Sequence, residues 1–145
     1  MNKTLYDQDF YKWLEVTLKQ LRERDTENLD WEHLIEEVES LGRSEKNAVD
    51  GYLYQLLFHL LMLQYWESEQ DFSGNHWRSE VVGFRFRLNR LLQSGMLRNY
   101  FSEEIDSIYP KARKGVIAKS ELPADTFPER CPYTPQQLLD EEFYP

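Results

Sequence analysis

The amino-acid sequence predicts an all-α protein: a four- to five-helix bundle with a Pro-rich C-terminal tail packed across it. Three observations carry this reading. Residues 29–66, LDWEHLIEEVESLGRSEKNAVDGYLYQLLFHLLMLQYW, pass from an amphipathic helical pattern into a stretch that is apolar nearly all round. A helix without a polar side has to be enclosed by other elements. Further segments repeat apolar residues at spacings of three and four, the period of an amphipathic helix. Five of the six prolines follow Glu121, together with Phe127, Tyr133, Phe143 and Tyr144, and so apolar a tail is expected to pack rather than float.

Taken in order, residues 5–9 read as a lead-in, with Asp7 or Asp9 capping the first helix. Phe10, Trp13, Leu14, Thr17, Leu18 and Leu21 then mark a helix to about Arg24. Asp30 is a suitable cap for a second helix, whose stripe is Trp31, Leu34, Ile35, Val38 and Leu41. Gly42 is expected to break or kink this helix, with Ser44 capping the next. The other reading is a continuous helix in which Gly42 admits a close neighbour. The central helix then runs from about Glu45 to Trp66, followed by a polar turn over residues 67–75. Trp77, Val81, Phe84, Leu88, Leu91 and Leu92 form the fourth helix, with Arg78, Arg85, Arg87 and Arg90 on its other faces, and Ser94-Gly95 ends it. Leu97, Phe101, Ile105, Ile108 and Ala112 mark a fifth helix, which Pro110 should kink or divide. In the tail, Thr134 should cap a short helix with Pro135 at its first position.

With 145 residues the chain suits one domain, with residues 1–121 as the bundle and 122–145 as the wrapping tail. The single cysteine, Cys131, excludes an internal disulfide and a cysteine-based zinc site. No apolar segment follows a basic start, and no run is long enough to cross a bilayer, so a cytoplasmic protein with no membrane partner is expected. The net charge of −9 is unevenly spread: −9 over residues 1–73, +5 over 74–119 and −5 over 120–145. The basic segment either packs beside acidic neighbours or offers a face to an anionic partner.

The order of LYDQDFYKWLE, LDWEHLIEEVESLGRSEK, HLLMLQYW, Trp77-Arg78 and the tail LP…TFPERCPYTPQQLLDEEFYP resembles the bacterial family called domain of unknown function 29, which is especially common in cyanobacteria. The resemblance spans almost the whole chain. It implies a small all-helical cytoplasmic protein, and it carries no catalytic residue to transfer. Pro110 departs from the family's pattern in the fifth helix.

Candidate chemistry is sparse. His33, His59 and His76 could hold a divalent metal between helices if the fold brought them together, as a metal-dependent enzyme or sensor would need. Neither the paired Glu-x-x-His of di-iron bundles nor His-Glu-x-x-His is present. No phosphate-binding glycine loop and no Gly-x-Ser-x-Gly elbow occurs. The arginines of the fourth helix beside Phe86 could grip a nucleic acid, although the overall negative charge opposes this. The reading that remains is a non-enzymatic protein–protein interaction or small regulatory module, with a homodimer as one form of it and no cofactor. Phe86, Arg87, Arg90, Arg43 and Tyr133 are the expected contact residues.

Overall fold

A computed structural model describes residues 4–145. Among the described residues there is no strand; the chain forms helices α1 (Leu5–Gln8), α2 (Phe10–Arg22), α3 (Trp31–Tyr65), α4 (Gln70–Leu91), α5 (Gly95–Ser120) and α6 (Pro135–Leu139), with single 3-10 turns at Glu67–Glu69 and Ala124–Thr126. The all-α expectation therefore holds. Two compact units can be separated, Met1–Ser44 and Glu45–Pro145, and each is described by itself.

Local chemistry sets most helix ends. Thr4 caps α1, and the Asp9 carboxylate accepts the Lys12 amide to cap α2. Asp30 accepts the His33 amide at the start of α3. Ser94 caps α5, and Thr134 with Gln137 forms a capping box at α6, where Pro135 takes the first position.

Three boundaries differ from expectation. Helix α3 runs for 35 residues straight through Gly42 and Ser44, so the anticipated break is absent. Gly42 does not take a positive φ, and a Cβ there would meet nothing within 4 Å, so it is neither a stop nor a close-approach site. Its cost of about 1 kcal/mol in a helix interior is outweighed by the strong helix formers around it. Helix α4 already begins at Gln70, so much of the polar stretch read as a turn is its first turn and a half. Helix α5 continues past Pro110 without division. Pro110 and Asp106 are both exposed, so the carbonyl that loses its backbone donor faces water.

In the unit Glu45–Pro145, the second half of α3 is the centre. Leu53, Leu56, Leu57, Leu60, Leu61 and Met62 are fully buried, which uses every side of the helix. Val81 and Leu88 of α4 and Phe101, Ala112 and Val116 of α5 close around it. Gly115 lets α5 approach closely: a Cβ there would lie 2.5 Å from the Tyr54 hydroxyl and 3.2 Å from the Phe58 ring.

The tail supplies the remaining wall through Phe127, Tyr133 and Leu138, all buried. Burial of each such side chain is worth about 1.5–3 kcal/mol. The polar backbone of an irregular tail also needs partners. Arg113 donates to the carbonyls of Phe127 and Ala124, at 3.2 and 2.8 Å. The Tyr109 hydroxyl donates to Pro128 O at 2.6 Å. Arg85 of α4, only 1% exposed, donates from Nε to Leu138 O at 2.8 Å and from Nη2 to Gln137 O at 3.1 Å. These carbonyls end α6, where the helix dipole is negative, so a cation is well placed there. The Tyr144 ring lies 5.3 Å from the guanidinium and covers it. Burial lowers the Arg85 pKa, and the nearby Tyr144 and the acidic residues Asp140 and Glu141 oppose that shift.

Two predictions follow from this packing. Arg85→Ala should cost about 2–4 kcal/mol, since it strands two carbonyls and opens a cavity. Limited proteolysis should then cut after residue 120 while the three long helices persist; a tail as protected as in the wild type would refute the clamp. The two helical glycines should respond in opposite directions. Gly42→Ala should stabilise by up to about 1 kcal/mol, whereas Gly115→Val should destabilise by about 1–3 kcal/mol through overpacking, both read by denaturant melts.

Candidate interaction surfaces

Among residues 4–44, only Trp13, Thr17 and Leu29 are buried, and a polar-aromatic cluster does the joining. Trp13 is buried on α2, and its indole donates to Asp30 Oδ2 at 3.1 Å. The same oxygen accepts from His33 Nδ1 at 2.7 Å. The Tyr6 ring stacks on His33 with centroids 4.0 Å apart, meets Phe10 and Trp13 edge-on, and donates its hydroxyl to Glu37. The hydrogen bond to the Glu37 carboxylate pushes the Tyr6 pKa up to about 12. Asp30 raises the His33 pKa through its hydrogen bond, and His33 in turn lowers that of Asp30. The partner of His33 is the capping residue Asp30, three positions earlier, which presents a carboxylate at the ring as well as at the backbone.

The outer face of this unit is apolar. Trp31, Ile35, Val38 and Leu41 of α3, four of the five residues of the apolar stripe expected on this helix, are 52%, 54%, 61% and 69% exposed. The Trp31 indole N–H is satisfied by Thr26 O at 3.1 Å, which holds the ring at the surface. On α2, Tyr11, Leu18 and Leu21 are exposed as well. Of the thirteen large apolar side chains exposed among the described residues, eight fall between Leu5 and Leu41.

The unit Glu45–Pro145 carries a shallow cleft of about 630 Å³, lined among others by Tyr52, Phe86, Arg87, Arg90, Ser94 and Leu97. Three of the five expected contact residues thus share one surface. The Arg87 guanidinium lies 5.7 Å from the Tyr52 ring centroid and that of Arg90 lies 5.8 Å from Phe86. Cations over aromatic faces can meet a carboxylate or phosphate while the rings contact apolar groups. Glu45 lines the same cleft and tempers its positive charge.

The other two expected contact residues lie elsewhere. Arg43 is exposed and pairs along its helix with Glu39 at 3.8 Å, a contact of little energetic weight. Tyr133 is a core residue, 6% exposed, with its hydroxyl donating to Gln64 at 2.9 Å, so it presents no ring to a partner. Sequence periodicity could not separate a tail aromatic that seals a core from one that faces out. Nor is the arginine helix a single basic face, because Arg85 points inward.

Each histidine has its own surroundings. His59 is buried between Phe58 and Phe84, with Nδ1 donating to Gln55 O at 2.7 Å, and burial lowers its pKa. His76 is exposed, and His33 is held by Asp30. Among the described residues no three His, Cys, Asp or Glu side chains are grouped as a metal ion requires, so the metal alternative at His33, His59 and His76 finds no support in the geometry. Cys131 is half-buried against Tyr133 O, and burial raises its pKa, which disfavours the reactive thiolate. Among the described residues no helix is long and apolar enough to cross a membrane.

The Asp30–His33 pair has a definite pH signature. A raised His33 pKa adds stability that is complete below its unfolded value of about 6.5 and is lost as pH climbs through the folded value. A lowered Asp30 pKa adds stability that is present above its unfolded value of about 3.9 and is lost as pH falls through the folded value. The pair therefore contributes most between about pH 4 and 6.5. Histidine ring NMR should place the His33 midpoint above about 6.5 and the His59 midpoint below it, with Asp30→Asn moving only the former downwards. A His33 midpoint at or below that value would contradict the pairing.

Comparison with known proteins adds a family. No curated protein sequence and no solved structure matches the chain. The family model described as Domain of unknown function DUF29 matches residues 5–144, nearly the full length, and covers both surfaces described above. The chain belongs to the DUF29 family.

Proposed function

We propose that this protein is a non-enzymatic interaction module that works by binding another protein chain. The observation that carries the reading is the exposed stripe Trp31, Ile35, Val38 and Leu41. Exposed apolar residues scattered singly are ordinary, whereas a continuous row on one helix face is a feature of association surfaces. The cleft at Phe86, Arg87 and Arg90 is a second contact region, suited to a polypeptide that offers a carboxylate beside an apolar side chain. A cytoplasmic setting fits the lone, half-buried thiol.

Native mass spectrometry of untagged protein purified from its own host should show a stoichiometric protein mass added to the chain. Ile35→Ser with Val38→Ser should abolish that mass without unfolding the protein, because both side chains are exposed. A clean monomer at high micromolar concentration, a metal adduct of tens of daltons, or bound nucleic acid would each overturn the reading.

A further inference from the structure

The apolar face of residues 4–44 carries a charge pattern that specifies its occupant. On α3 the stripe Trp31, Ile35, Val38 advances by four and three residues, and its flank carries Glu32, Glu36 and Glu39. On α2 the exposed edge Tyr11, Leu14, Leu18, Leu21 advances by three, four and three, and its flank carries Lys19 and Arg22, together with Lys12, which pairs with Glu15 at 3.9 Å. Leu14 is half-buried, and the other three side chains of that edge are exposed. With Lys12 offset by Glu15 and Glu39 by Arg43, Lys19 and Arg22 leave the α2 seam net positive, and Glu32 and Glu36 leave the α3 seam net negative, at matching period. A row spaced alternately by three and four is the pattern by which one helix packs along another.

We infer that the covering partner is a second copy of this chain, with α2 of each protomer laid on the α3 stripe of the other. This rests on the interaction reading above and names its partner. A two-fold arrangement is isologous, so the α2–α3 contact is made twice. Both apolar rows of each protomer are then covered, and each net basic flank meets a net acidic one. Parallel pairing of α3 with α3 would oppose glutamates to glutamates, and α2 with α2 would oppose lysines, so the charges select the crossed pairing. An unrelated protein could match one seam; a second copy matches both at once.

The test uses charge reversal in the full chain. One variant carries Lys12→Glu and Lys19→Glu; the other carries Glu36→Lys and Glu39→Lys. All four positions are exposed, and circular dichroism melts check that both variants fold. By light scattering after size exclusion, the wild type should be a dimer and each variant alone a monomer, at least tenfold weaker in self-association. An equimolar mixture of the two variants should recover a 1:1 dimer, since each α2 seam again meets an α3 seam of opposite sign. Added salt should weaken both the wild-type and the mixed dimers.

Three results would overturn the inference: a wild-type monomer at high micromolar concentration, a dimer indifferent to either reversal, or a mixture that stays monomeric. If the wild type is monomeric while a different protein partner is held and is lost on Ile35→Ser with Val38→Ser, self-association fails and the interaction reading stands. If the wild type is monomeric and amide exchange finds the stripe protected within the lone chain, both fail.

Discussion

A helix with no polar side must be enclosed, and the second half of α3 imposes that condition on residues 45–145. Leu53, Leu56, Leu57, Leu60, Leu61 and Met62 consume every direction around it. Helices α4 and α5 cover part of the circumference, and the tail closes the rest with Phe127, Tyr133 and Leu138. Apolar contact draws the tail in, but its irregular backbone brings carbonyls that have lost water. Tyr109, Arg113 and Arg85 answer those carbonyls one group at a time. Arg85 shows the trade most clearly. Its guanidinium is desolvated, and Nη1 lacks a protein partner, so the charge is kept at some cost for the two bonds that terminate α6.

Residues 4–44 meet the opposite situation. Only Trp13, Thr17 and Leu29 are buried there, too few to form a core of the ordinary kind. Directional contacts stand in: the Trp13–Asp30–His33 hydrogen bonds, the Tyr6–His33 stack and the Tyr6–Glu37 bond. These fix the two helices at one edge and leave apolar rows uncovered on the other. The same shortage of core that calls for polar joints therefore leaves the surface on which the functional reading depends.

Much of the local structure was legible. The caps at Asp9, Asp30 and Thr134, and Pro135 at the start of α6, follow from side-chain hydrogen bonding to orphan amides within a few residues. Less legible were elements decided by competition. Gly42 and Pro110 each carry a local penalty, and both sit inside continuous helices because neighbouring residues and a solvent-facing position absorb it. For the candidate surfaces, Phe86, Arg87 and Arg90 stood out because an aromatic lies off the apolar stripe among arginines, and all three line one cleft. Tyr133 was misjudged because composition says nothing of which way a tail side chain turns.

The sequence by itself determined the helical class, most helix ends, the all-round burial of residues 53–63 and the need for the tail to pack, since periodicity, capping and apolar content act over one helix or less. Only the tertiary structure decided that Arg85 turns inward to hold the tail, that His33 pairs with Asp30 beneath Tyr6, and that the stripe from Trp31 to Leu41 faces out. Those outcomes depend on which faces find a partner once the chain is compact. The helical period of a single segment reveals that an apolar face exists, and what covers it is set by residues far away in the chain.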